Sequence, residues 1–117
     1  VNEVYTKEER PWGWFEILYE EPGLKVKRIM VAPGKRLSLQ SHEQRAENWV
    51  VLQGQARFTL DGATVALAPH QSVFIPKKSR HRIENPGTEE LVFVEVQTGS
   101  YLGEDDIVRY QDDFDRC

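Results

Sequence analysis

Residues 37–51 read LSLQSHEQRAENWVV, a stretch in which the two faces of an extended chain differ sharply. Side chains alternate along a strand, so Arg36, Ser38, Gln40 and His42 share one face while Leu37, Leu39 and Ser41 share the other. For this strand alone, a wet polar face on a sandwich is a sufficient reading. The spacing beyond it adds a second. Gly34 is followed by Gln40, His42, Glu47 and Gly54, and after an intervening hairpin come Pro76, His81 and Asn85. Gln40 and His42 stand at i and i+2, Glu47 opens the next strand, and His81 lies on a later strand that can return beside them. Four donors, two of them imidazole nitrogens and two of them oxygens, can then converge on one ion. Either histidine taken alone is more often a hydrogen-bonded core or surface group. As a set with this spacing, Gln40, His42, Glu47 and His81 point to one divalent metal ion. Zinc is the first choice, and manganese, iron, cobalt or nickel also suit the mixed donors.

Working outward, short apolar-rich runs separated by Gly, Pro, Asn and Asp recur every eight to twelve residues, the pattern of an all-β sandwich or barrel. Strands are expected at 13–18, 24–31, 37–42, 48–52, 56–60, 64–67, 72–75, 82–84 and 91–96. Asp61-Gly62 is the strongest hairpin signal, because both residues accept the positive φ of a type I′ turn. Helix is expected only around 104–109, where Glu104, Asp105 and Asp106 suit a helix N-terminus better than a metal site.

The 117 residues are expected to form a single domain over 1–117. Nineteen acidic against fifteen basic residues give a net charge of -4, which argues against nucleic acid or an anionic membrane surface as the main partner. A single cysteine, Cys117, excludes an intrachain disulfide and a thiolate-rich metal site, and makes the cytoplasm the default location. No apolar run approaches the ~20 residues that span a bilayer, and the opening residues have no apolar signal-peptide core.

The spaced groups around Gln40 and His81 resemble the two motifs of the cupin superfamily, with Gln40 standing where the common pattern has its first histidine. More narrowly, RPWG (10–13), residues 37–51, IPKKSRHRIENPG (75–87) and EVQTGSYLGEDDIVR (95–109) resemble the cupin domain of type II mannose-6-phosphate isomerases. In most of that family the domain follows a mannose-1-phosphate guanylyltransferase; here it looks like a stand-alone version. The resemblance implies a double-stranded β-helix, or jelly-roll barrel, with a short C-terminal helical segment. It also implies a metal-dependent isomerase that interconverts mannose 6-phosphate and fructose 6-phosphate through an enediol. The alternative is a cupin that binds a sugar or sugar phosphate without turnover, or that acts on another small substrate. By analogy with cupins a homodimer is expected.

That reaction needs a base, a group that polarises the carbonyl, and cations for the phosphate. Glu95 alternates with Phe93 and Gln97, opposite a face of Val92, Val94 and Val96, so it should point into the cavity, either as the base or as a structural partner for an arginine. The resemblance marks Arg45, Arg109 and Arg116 as functional, with Arg45 and Arg109 catalytic and Arg116 on the substrate. Arg36, Lys35 and Lys78 are further phosphate candidates at the mouth, and Ser38 shares the polar face. Trp12 and Trp49 could stack on the sugar, Trp49 being favoured because it follows Glu47 on the same face. His70, in the Ala68-Pro69-His70 turn, is placed on the surface or beside the substrate. Four departures stand out against the family pattern His-His-His-Arg-Ala-Glu-His-Trp and its second motif. Glu43, Gln44 and Asn48 replace three histidines, and Lys78 replaces a glycine. Asp115 replaces another glycine near the end.

Overall fold

A computed structural model describes residues 7–114. Eleven strands follow in order: β1 (Glu8–Arg10), β2 (Gly13–Glu21), β3 (Leu24–Val31), β4 (Leu39–Ser41), β5 (Arg45–Gln53), β6 (Ala56–Leu60), β7 (Ala63–Leu67), β8 (Ser72–Ile75), β9 (His81–Glu84), β10 (Leu91–Gly99) and β11 (Val108–Gln111). They form a six-stranded sheet, β1-β2-β3-β10-β5-β8, and a five-stranded sheet, β11-β4-β9-β6-β7. Every pairing between these strands is antiparallel.

Local chemistry sets the hairpins. Leu60 pairs with Ala63 across Asp61-Gly62, whose φ values of 47° and 88° are both positive, as a type I′ turn requires. Glu21 pairs with Leu24 across Pro22-Gly23, where proline fixes the first turn residue and Gly23 takes φ 84° at the second. Gly54, at φ 83°, closes the bend from β5 to β6. A Cβ there would lie 2.6 Å from the Glu90 carbonyl oxygen, so only glycine fits that approach.

The inward face of the larger sheet changes character along its strands. Antiparallel register puts Leu91 opposite Val31 and Phe93 opposite Ile29 and Val51. With Phe58, Leu67, Ile75 and Ile83 these residues make a dry core at one end. Further along the same strands, Glu95 lies opposite Lys27 and Gln97 opposite Lys25 and Glu47. All five of these polar side chains are buried. One end of the barrel is therefore filled with hydrocarbon, and the other is built of buried polar groups that need partners.

Two regions depart from the expectations. The segment expected to be helical is a turn leading into β11, so no helix is found among the described residues. Its acidic run instead supplies tertiary contacts, and the alternation in Val108-Arg109-Tyr110 is satisfied by pairing with β4. At the other end, Glu8–Arg10 pairs with β2 and extends the large sheet by one edge strand. No helix among these residues is long and apolar enough to cross a membrane.

Candidate functional site

His42 follows β4 and His81 opens β9. Each ring is locked by a backbone carbonyl: His42 Nδ1 donates to the Asp106 oxygen at 2.6 Å, and His81 Nδ1 donates to the Ser79 oxygen at 3.1 Å. That fixes the tautomer and turns both Nε2 atoms inward. The ring centroids are 5.1 Å apart. Glu47, on β5 in the facing sheet, brings its Oε2 to 3.3 Å from His42 Nε2. One donor atom from each of His42, Glu47 and His81 lies within 4.8 Å of the others. His81 Nε2 is buried without a hydrogen-bond partner, a costly arrangement for an acceptor unless something binds it.

Electrostatics favour the ligand form of both rings. Burial, and then the nearby Arg45 charge, push the His42 pKa down to about 4. Burial also lowers that of His81. Both are neutral imidazoles at neutral pH. Glu47 is held from two sides, its Oε1 accepting from Trp49 Nε1 at 2.8 Å and its Oε2 from Arg45 Nε at 2.7 Å. Two neutral Nε2 donors, one of them buried without a partner, and one oriented carboxylate fit a divalent ion. Gln40 sits directly opposite His81 across β4 and β9, and its Oε1 accepts from Ser38 Oγ at 2.9 Å.

These groups open into a cavity of about 140 Å³, walled in part by Ser38, Gln40, His42, Arg45, Glu95 and Arg109. The register across the smaller sheet explains Arg109: it lies opposite Gln40, which lies opposite His81. Glu95 stands on the facing sheet and is buried, with Gln97 Nε2 donating to its Oε2 at 2.5 Å. Burial first, and the Glu47 charge second, raise its pKa to about 7.

Asp106 ties the site to the chain beyond β10. Its carboxylate accepts the Glu43 and Gln44 backbone N–H groups, each at 3.0 Å, while its carbonyl orients His42. Burial opposes its charge, but those two N–H groups outweigh it and hold the Asp106 pKa below the usual aspartate value.

Other residues expected at the site lie elsewhere. Arg36 belongs to an outer groove, where its Nε and Nη2 donate to Asp113 at 2.8 and 2.9 Å and its Nη1 to Glu84 at 3.1 Å. The guanidinium is thus committed to two carboxylates away from the cavity. Trp49 is 1% exposed and packs against Phe58, Phe93 and His81, so no sugar reaches its faces; Trp12 lines the cavity in its place. His70 and Lys78 are exposed turn residues at φ 75° and 69°, and neither lines the cavity. Arg116 and Asp115 lie outside the described residues. Glu43, Gln44 and Asn48 are exposed, which puts the departures from the family pattern on the outer surface.

Sequence reasoning missed Lys27, Phe15 and Glu104, all on the cavity wall. In LKVKRIMV the inward set is Lys25, Lys27, Ile29 and Val31, but the outward Leu24, Val26 and Met30 are equally apolar. Periodicity alone therefore does not say which face of this strand is inward. The inward direction of Glu95 was the available signal, since its register partner on β3, Lys27, then faces inward beside it.

A two-sheet β-barrel with a buried histidine and carboxylate set at its polar end is a cupin, the double-stranded β-helix. The cupin domain of Schizosaccharomyces pombe Cnp3 superposes with a TM-score of 0.72 at 17% identity, covering 74% of this chain and 60% of that one. The chain belongs to the mannose-6-phosphate isomerase C-terminal family, whose model matches residues 1–112. It is 46% identical over 116 residues to a mannose-1-phosphate guanylyltransferase of Klebsiella pneumoniae, covering 99% of this chain and 24% of that protein. It is 49% identical over 114 residues to the alginate biosynthesis protein AlgA of Pseudomonas aeruginosa, covering 97% of this chain and 23% of that protein. The chain thus spans about a quarter of the length of these curated relatives.

Proposed function

We propose that this chain is a metal-dependent aldose–ketose isomerase that interconverts mannose 6-phosphate and fructose 6-phosphate. The observation that carries the reading is Glu95, a buried carboxyl with a raised pKa on the wall of the cavity that His42 also lines, His42 being clustered with Glu47 and His81. A carboxyl so poised takes up and returns a proton at neutral pH with little penalty in either direction.

In the forward direction Glu95 removes the proton from C2 of the open-chain aldose. The C2–H electron pair becomes the C1–C2 double bond, and the aldehyde oxygen takes the negative charge. Transfer of the O2 proton to O1, with re-formation of a carbonyl at C2 and return of the abstracted proton from Glu95 to C1, gives the ketose. Gln97 steadies the Glu95 carboxyl through its side-chain amide. Arg45, whose Nε is bonded to Glu47, and Arg109, on the opposite wall, make the cavity favourable for anions. A divalent ion held by His42, Glu47 and His81, with Gln40 beside them, would supply positive charge where the oxyanion develops. Zinc remains the first choice for these donors.

The test is to add fructose 6-phosphate to the metal-loaded protein and follow mannose 6-phosphate. Turnover that vanishes in Glu95→Gln, with the metal retained, is the expected result. Binding of the sugar phosphate with no turnover would instead make this a sugar-phosphate-binding cupin.

A further inference from the structure

Lys27 is a cation built into the wall, with a side chain only 6% exposed. Its ammonium lies 4.3 Å from the Phe15 ring centroid and is ion-paired with Glu104. The two partners are unlike. Glu104 comes from the turn between β10 and β11, and its side chain is 54% exposed. It also approaches Lys25 at 3.8 Å, whose ammonium is already bonded to the Leu102 carbonyl at 2.8 Å. The lysines belong to the barrel, whereas the carboxylate reaches in from the solvent side.

The register places this cation relative to the metal donors. Lys27 is on β3, Glu47 is on β5, and β10 lies between them, so two strand spacings of roughly 10 Å separate the strands. A ligand spanning both points has a reactive carbonyl at one end and an anionic group several bonds away. We propose that Lys27 anchors the anionic group of the substrate, and that Glu104 holds that place in the free protein and is displaced when the ligand binds. This rests on the reading of a phosphorylated substrate and names the residue that selects for it. An incoming phosphate inherits the Lys27 ammonium with the Phe15 ring still against it, while Glu104 returns to water.

The placeholder predicts opposite signs for its two partners, which a purely structural ion pair does not. Inorganic phosphate is titrated calorimetrically into metal-loaded wild type, Glu104→Gln, Lys27→Gln and the double variant, with melting curves to verify folding. Glu104→Gln should bind phosphate about tenfold more tightly than wild type, and Lys27→Gln about tenfold more weakly. The double variant should resemble Lys27→Gln. Should Lys27→Gln fail to fold, Lys27→Arg, which keeps the cation, should bind within about threefold of wild type, and Lys27→Met should lose phosphate-dependent protection against heat. Weaker or unchanged binding in Glu104→Gln overturns the proposal. Because phosphate binding is read without turnover, a missing isomerase activity with these signs intact removes only the reaction assigned above. Turnover with the signs absent removes only the role of Lys27.

Discussion

Asp106→Ala probes the join between fold and site. The carboxylate accepts two backbone N–H groups at 3.0 Å, from Glu43 and Gln44, in the turn that carries His42 into β5. A buried hydrogen bond to a charged group contributes about 1.5–3 kcal/mol. Here both donor residues are exposed, so water replaces much of the loss. The expected cost is about 1–2 kcal/mol, the range of a lost helix cap. For a chain of 117 residues that lowers the melting temperature by roughly 5 °C. The same turn sets the His42 ring, so metal affinity should fall about tenfold, as when an outer partner of a ligand is lost. The Asp106 pKa is lowered on folding, so its contribution is fully present above the unfolded aspartate value of about 3.9. It then disappears as pH falls through the lower folded value. Thermal melts across pH, together with a zinc titration, check both parts. An Asp106→Ala protein with wild-type melting and wild-type zinc affinity would refute the reasoning, because Asp106 would then support neither turn nor ligand.

Glu95→Gln should keep the metal and lower kcat by about 10²–10⁴-fold. In wild type, kcat/KM should fall with decreasing pH as Glu95 takes up its proton, above the usual glutamate range because the carboxyl is buried. A full rate profile from pH 5 to 9 checks it. Arg36→Ala should leave turnover within about twofold and change stability by no more than ~1 kcal/mol, because its ion pairs are partly exposed and distant from the cavity. Steady-state kinetics and a denaturant melt measure both. Phe58→Ala should cost about 3–5 kcal/mol by opening a cavity beside Trp49, read from the same denaturant curves.

Much of the barrel was legible because turn chemistry and period-two alternation agreed. Three expected strands, 24–31, 56–60 and 72–75, coincide with β3, β6 and β8. The Asp61-Gly62 turn has the positive φ values its sequence calls for. The segment 104–109 was not legible, since acidic residues before Ile107 and Val108 fit a helix start as well as an edge strand. Only pairing with β4 decides between them. At the site, His42, Glu47 and His81 were readable from spacing, and the structure brings their donor atoms together. Trp49 was misplaced because a shared face says nothing of depth, and its indole lies beneath the cavity, where it serves Glu47. Arg36 shares the strand face of Ser38, but its long side chain turns outward to Asp113 and Glu84 before the barrel wall closes. Such tertiary ion pairs, 77 and 48 residues apart in the chain, have no local signature.

The central claim is that His42, Glu47 and His81 form one metal centre, and metal content tests it most directly. Wild-type protein reconstituted with zinc and freed of excess ion should retain close to one ion per chain by elemental analysis, and folded His81→Ala should retain almost none. Wild-type protein that retains no ion after reconstitution with zinc, manganese, iron, cobalt or nickel would contradict it.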